Sequence, residues 1–164
     1  MRKFLILILF SWGLLSTSAS AGAEAGKVPD GSIVSNWLKA YEAFDLERFT
    51  EFYAAEVQFT DPTARLDLRS REQLKKTYRG IMQGRYGGDF KFDVERMVAQ
   101  GSVTALEGLF SLTWNGQKAT VHFTTWLEFR GGKIIRQLDM FDYGSLQRQI
   151  PTYGQGEPSE YTPE

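Results

Sequence analysis

Apolar residues are arranged differently in successive parts of this chain. Phe4 to Leu15 is a nearly unbroken apolar run, interrupted by Ser11 and Gly13. From Ser32 the spacing turns helical, with Ile33, Trp37, Tyr41 and Phe44 on one face. Asp45 reads as the N-cap of a second short helix whose apolar side is Leu46, Phe49, Phe52 and Tyr53. Val57-Gln58-Phe59 alternates like a brief strand and ends at the turn signal Asp61-Pro62. Ser70-Arg71-Glu72-Gln73 is a capping box that opens a third helix through about Met82, with Leu74, Tyr78 and Ile81 on its face. From Phe90 the period becomes two, and four strands are expected, over 90–100, 102–114, 118–130 and 133–143. Gly101, Asn115-Gly116 and Gly131-Gly132 separate them, and the last two pairs favour tight hairpins. Three helices followed by an antiparallel meander make an α+β fold. Strands this long twist and curl, and helices laid on the concave side leave a cone-shaped cavity.

The two ends fall outside this plan. Arg2 and Lys3 precede the apolar run, and Ala19-Ser20-Ala21 closes it, which is the layout of a secretory signal peptide cleaved after Ala21. The run is shorter than the ~20 apolar residues that span a bilayer. Residues 1–21 are therefore expected to be removed, leaving a periplasmic or secreted protein with no membrane span. Residues 22–31 read as a linker and 32–148 as the domain. Residues 149–164, with Pro151, Pro158, Pro163, Gly154 and Gly156, read as a flexible tail.

Composition narrows the chemistry. The 164 residues are 42% hydrophobic and 14% aromatic, enough for one well-filled core. With 19 Lys+Arg against 20 Asp+Glu, the charge of −1 lacks the basic excess of a nucleic-acid binder. The chain has no cysteine and a single histidine, His122, which removes thiol chemistry and leaves too few ligands for an ordinary zinc site. No metal or cofactor is expected. Parity along the third long strand puts Val121, Phe123 and Leu127 on one face with Thr125, and His122 on the other with Thr120, Thr124, Trp126 and Glu128. Glu107 shares one of these two faces, and parity does not decide which.

The segment Trp37 to Tyr53, then Phe59-Thr60-Asp61-Pro62-Thr63, and the ending Phe129 to Asp142 resemble the nuclear transport factor 2-like superfamily, nearest its SnoaL-like branch. The resemblance covers about residues 32–148. It implies the cone fold and pairing of two copies through the outer sheet face, where Trp126 would otherwise stand exposed. Similarity to the ketosteroid isomerases of this fold puts their carboxylate base at Asp61. It puts their oxyanion Tyr at Trp37, a supporting pocket Tyr at Tyr78, and their protonated Asp near Thr125. With both main oxyanion donors changed, steroid isomerisation is not implied. Similarity to limonene-epoxide hydrolases puts their last-strand carboxylate at Asp139, their water-orienting Asn at Asp61 and their Tyr at Phe59. Their Arg-x-Asp pair has no clear counterpart, although Glu107 lies near its acid.

These observations converge on a cavity lined by Trp37, Tyr41, Phe59, Tyr78, Phe123 and Thr125, with Asp61 and Asp139 as its few polar groups. A mostly apolar wall with a few convergent polar groups suits a small neutral molecule carrying one carbonyl or hydroxyl. Asp61 is either a turn residue before Pro62 or a base at the cavity mouth. Asp139, in a strand of apolar residues, must be paired, solvated or in a pocket. The first expectation is an exported protein that binds a small, mostly apolar molecule. The alternative is a cofactor-independent acid–base enzyme that uses Asp61 and Asp139.

Overall fold

The computed structural model describes residues 28–155. The expected signal peptide, most of the linker and the segment 156–164 lie outside the described residues. Each of the first three helices starts where a side chain can take up a free backbone N–H. Ser32 caps α1 (Ile33–Glu42), Asp45 caps α2 (Leu46–Glu51) and Ser70 caps α3 (Arg71–Gly80). At α3 the capping is reciprocal: Ser70 Oγ accepts from Gln73 N, and Gln73 Oε1 accepts from Arg69 N at 2.7 Å. This helix stops at Gly80, earlier than its apolar period suggests. The chain then kinks over Ile81–Arg85, where Gln83 and Gly84 leave helical backbone angles and Gly84 takes a φ of +76°.

One sheet holds six strands: β1 (Tyr53–Asp61), β2 (Leu66–Leu68), β3 (Gly88–Gln100), β4 (Val103–Trp114), β5 (Gln117–Arg130) and β6 (Lys133–Phe141). Their order is β2-β1-β6-β5-β4-β3. The long meander is antiparallel, and both hairpin pairs, Asn115-Gly116 and Gly131-Gly132, have positive φ as type I′ turns require. Strand β1 is longer than its brief alternation suggests, and it joins β6 in parallel. The two strands start from the same end of the sheet, where Ile134 N donates to the Phe52 carbonyl at 2.8 Å. The α+β class thus holds, with one parallel ladder in an otherwise antiparallel sheet.

Bulges curve the sheet. In β6 the pairing steps from Phe129↔Ile134 to Glu128↔Arg136, so Ile135 is the extra residue. Strict alternation groups Asp139 with Ile135. The bulge gives that place to Ile134, which is fully buried, and sends Ile134, Gln137 and Asp139 to the concave side. In β3 the step lies at Glu95, opposite Gly108 and Glu107 of β4.

The chain beyond β6 is also packed. Asp142 caps a fourth helix, α4 (Tyr143–Gln149), beyond the three that the apolar spacing predicts. Ile150 is fully buried, and the Tyr153 ring packs 5.3 Å from that of Trp114. The part of the expected tail nearest the domain is therefore part of the core, because Ile150 and Tyr153 have apolar partners in reach.

Gly108 is where this curvature can be tested. A Cβ there would lie 2.1 Å from the Asp93 carbonyl oxygen and 2.9 Å from Glu95 N, both backbone atoms that cannot swing aside. Gly108→Ala is expected to lower unfolding free energy by ~1–3 kcal/mol through this overpacking. The measurement is the urea midpoint, and an unchanged midpoint would show that β3 can move away.

Candidate functional site

Strand register brings the two predicted carboxylates together. Phe59 pairs with Gln137 and Thr60 with Leu138 across the parallel ladder. Asp61 and Asp139, the next residue on each strand, therefore stand side by side on the concave face, on strands spaced ~4.8 Å apart. Both are almost fully buried. Among the described residues neither forms an ion pair.

Their supports differ. Asp61 Oδ1 closes the turn after β1, accepting from Thr63 N at 2.9 Å, Thr63 Oγ1 at 2.5 Å and Ala64 N at 2.9 Å. Its Oδ2 is left to a long contact from the Tyr143 hydroxyl at 3.4 Å. Asp61 is thus both a turn residue and a cavity residue. Asp139 is held by side chains. Gln137 Nε2 donates to both carboxylate oxygens, at 2.9 and 2.8 Å, and the Thr125 hydroxyl on the neighbouring strand supports it as well. Burial is the main influence on its proton and outweighs these donors; with the Asp61 charge adding in the same sense, it pushes the Asp139 pKa up to about 7.

Both acids line a cavity of about 350 Å³ between the concave sheet face, α1, α3 and the C-terminal segment. Tyr41, Phe59 and Tyr78 line it, as the sequence leads one to expect. Trp37, Phe123 and Thr125 lie behind the wall instead. The Trp37 indole N–H donates to the Tyr53 hydroxyl at 2.9 Å, which turns the ring into the core. Phe123 is covered by Phe92 and Phe141, with ring centroids 5.2 and 5.8 Å away. Thr125 is directly opposite Asp139 and spends its hydroxyl there. His122 is exposed on the outer face, and Glu107 is paired there with Arg96 at 2.6 Å.

Several wall residues escaped the sequence reading. Phe90, Phe110 and Phe141 belong to alternating strands, so parity could have found them. Tyr143 and Tyr153 come from the segment without a clear period, and no sequence signal marks them. Tyr41 and Tyr78 have no hydrogen-bond partner among the described residues, yet neither hydroxyl is sealed from solvent. Their phenols thus open on the cavity. Burial, reinforced by the nearby acidic groups, keeps the Tyr41, Tyr78 and Tyr143 phenols protonated and able to donate. None of the wall residues is Lys, Arg or His, and the described residues contain no group of three or more potential metal ligands among His, Cys, Asp and Glu.

Comparison with known proteins agrees with this architecture. The family model for the SnoaL-like domain matches residues 34–137. No curated protein matches the sequence. Solved structures share the fold at low identity. A candidate SnoaL-like polyketide cyclase from Shewanella denitrificans is 19% identical with a TM-score of 0.66, over 73% of this chain and 95% of its own. A hypothetical protein with a ketosteroid isomerase-like fold from Catenulispora acidiphila, solved with trimethylamine, is 20% identical with a TM-score of 0.65, over 84% and 100%. An LEH-like epoxide hydrolase from M. tuberculosis is 20% identical with a TM-score of 0.62, over 73% and 90%.

The elevated Asp139 pKa has a consequence for stability. The folded protein holds this proton more tightly than the unfolded chain, whose carboxyl titrates near its ordinary value of 3.8. The stabilisation is complete below that value and is lost as pH rises through about 7. Wild-type protein is expected to lose roughly 3 kcal/mol between pH 5 and 8. Asp139→Asn, which carries no titrating proton, should flatten that slope. Melting curves across this range provide the check, and equal slopes would place the titration elsewhere.

Proposed function

We propose that this chain, which belongs to the SnoaL-like domain family, performs cofactor-independent acid–base chemistry on a small, mostly apolar molecule. The observation that carries this reading is Asp139: a buried carboxyl with no cation beside it among the described residues, on the wall of an apolar cavity. A group whose proton is poised near neutrality is a fit general acid or base. Protonated, it donates to a ligand carbonyl or ether oxygen; ionised, it accepts from a hydroxyl. The adjacent Asp61 presents Oδ2 as a second acceptor, and the Tyr41, Tyr78 and Tyr143 phenols supply donors. With two acids and no wall cation, the site favours neutral ligands over anionic ones.

The resemblance to ketosteroid isomerases contributes less. The residues at its two oxyanion positions are already engaged, Trp37 with Tyr53 and Thr125 with Asp139. Asp61 also favours a second reading, binding without turnover, because three donors already use its Oδ1. The names of the structural neighbours are compatible with either reading, since they include a cyclase candidate, an epoxide hydrolase and a protein carrying a small amine.

Mass spectrometry separates the two readings. Purified protein is incubated with a small-molecule extract of the cells that produce it, and the mixture is followed over time. Consumption of one component, slowed ~10²–10⁴-fold in Asp139→Asn while the variant remains folded at pH 5, supports acid–base catalysis. A component retained unchanged, and retained equally by the variant, supports binding alone.

Export and pairing complete the proposal. The first 21 residues have the layout of a signal peptide, and the mature form would work outside the cytoplasm. Trp126 and Met140 are both half exposed on the outer face of β5 and β6, which is an apolar cost for a lone copy. A homodimer through that face removes it. Sedimentation should give a dimer at micromolar concentration and a monomer for Trp126→Glu. A wild-type monomer would defeat this assignment.

A further inference from the structure

Behind Asp139 runs a line of buried polar groups that a core of this kind does not need. Trp37 Nε1 lies 2.9 Å from Tyr53 Oη, Tyr53 Oη lies 2.8 Å from Gln137 Oε1, and Gln137 Nε2 reaches both oxygens of Asp139. All four residues are almost fully buried. They come from α1, the start of β1 and β6, so the fold assembles the line from segments up to a hundred residues apart in sequence.

The chemistry of the groups fixes the direction of every bond. An indole N–H can only donate. It therefore occupies a lone pair of the Tyr53 hydroxyl, whose single proton is directed to Gln137 Oε1. A Gln amide whose oxygen is held in this way must present its NH₂ to the carboxylate. If the amide were flipped, its oxygen would face two carboxylate oxygens at less than 3 Å, acceptor against acceptor. The carboxylate selects the NH₂ end of the Gln137 amide, and the Tyr53 hydroxyl, which the donor-only indole leaves pointing its proton at Gln137 Oε1, holds that orientation from the other side.

We propose that Trp37, Tyr53 and Gln137 form a positioning relay that sets the proton affinity of Asp139 by locking the Gln137 amide with its N–H groups toward the carboxylate. The inference rests on the acid–base reading of Asp139 and adds the residues that tune it. None of the three need touch the ligand. Gln137 stabilises the ionised carboxylate directly, Tyr53 holds Gln137, and Trp37 orients Tyr53. The other groups influencing Asp139 are Asp61 from β1 and Thr125 from β5, while the neutral Tyr41 and Tyr78 phenols share its cavity from α1 and α3. Tyr143 from α4, also neutral, lines the same cavity. All of them stay in place in the relay variants, so a change in titration can be assigned to the relay.

The test needs no substrate. Protein labelled with ¹³C at the aspartate side-chain carboxyls is titrated by NMR, and the Asp139 signal is identified by its loss in Asp139→Asn. Gln137→Leu, Tyr53→Phe and Trp37→Phe are then compared with wild type, each checked for folding by near-UV circular dichroism. The Asp139 midpoint should rise in all three. The rise is about one pH unit or more for Gln137→Leu, which deletes a donor to a charged group. It should be smaller for Tyr53→Phe and smallest for Trp37→Phe. If Tyr53→Phe does not fold, Trp37→Phe decides. A rise confined to Gln137→Leu overturns the relay and leaves the acid–base reading standing. A wild-type midpoint near 4, the ordinary carboxylate range, overturns the acid–base reading itself.

Discussion

An ionisable carboxyl in an apolar cone is the constraint around which much of this structure is arranged. Leaving water penalises the ionised form of Asp139, and among the described residues no lysine, arginine or histidine offsets that penalty. The fold gives the carboxyl neutral donors, Gln137 and Thr125, and holds it beside a second acid. A cation would have tied the charge down in a closed pair. Neutral donors leave the proton equilibrium adjustable and the outward side of the carboxyl available to a ligand. Asp61 depends on the same geometry, since the parallel β1–β6 register that carries Gln137 next to Phe59 also carries Asp139 next to Asp61.

The cavity follows from sheet curvature and from how the rings are layered. Bulges at Ile135 and Glu95 bend the strands, and Gly108 lets β3 come close where a side chain would collide. Aromatic rings then fill the narrow part of the cone. Phe123 packs under Phe92 and Phe141, while Tyr41 packs against Phe49, Phe90, Phe92 and Tyr78 at centroid distances of 5.1–5.8 Å. Such edge and tilted contacts hold rings in fixed orientations. The space left above them is apolar in its walls and polar at the two acids. The C-terminal segment completes the enclosure: Tyr153 lines the cavity and its hydroxyl donates to the Tyr86 carbonyl at 3.3 Å.

Sequence revealed what depends on local chemistry. Ser32, Asp45 and Ser70 mark helix starts because a free N–H needs an acceptor there, and Asn115-Gly116 and Gly131-Gly132 mark hairpins because their turns need positive φ. Parity separated His122 from Phe123, and the resemblance that matches Thr125 to a pocket position chose Phe123 for the inside; the pattern holds because β5 has no bulge around these residues. What stayed hidden depends on long-range geometry. One extra residue at Ile135 reverses the parity of β6, and nothing local announces it. The parallel pairing of β1 with β6 comes from where the chain ends meet. Trp37 occupies a position that the family resemblance assigns to the pocket, but a partner 16 residues on, Tyr53, draws its indole N–H into the core. The packed role of Ile150 and Tyr153 was obscured by neighbouring prolines and glycines, whose composition alone resembles a tail.

The two acids are neighbours in space with supports of different kinds, and this difference bears on their roles. Asp61 is fastened by two backbone N–H groups and a hydroxyl within its own turn, so its orientation is set by residues at most three positions away. Such a carboxylate is rigid, and its Oδ2 is a fixed acceptor at the cavity. Asp139 owes its orientation to Gln137 and Thr125, and through Gln137 to Tyr53 and Trp37 on other elements. Its state can therefore respond to the packing of α1 against the sheet in a way that Asp61 cannot. In a cavity without wall cations, a fixed acceptor beside a proton-exchanging group is a workable division of labour: one orients the ligand, the other moves the proton. In the reaction proposed above, the tyrosine phenols around them, kept protonated by burial, would donate to whatever oxygen that proton movement leaves charged.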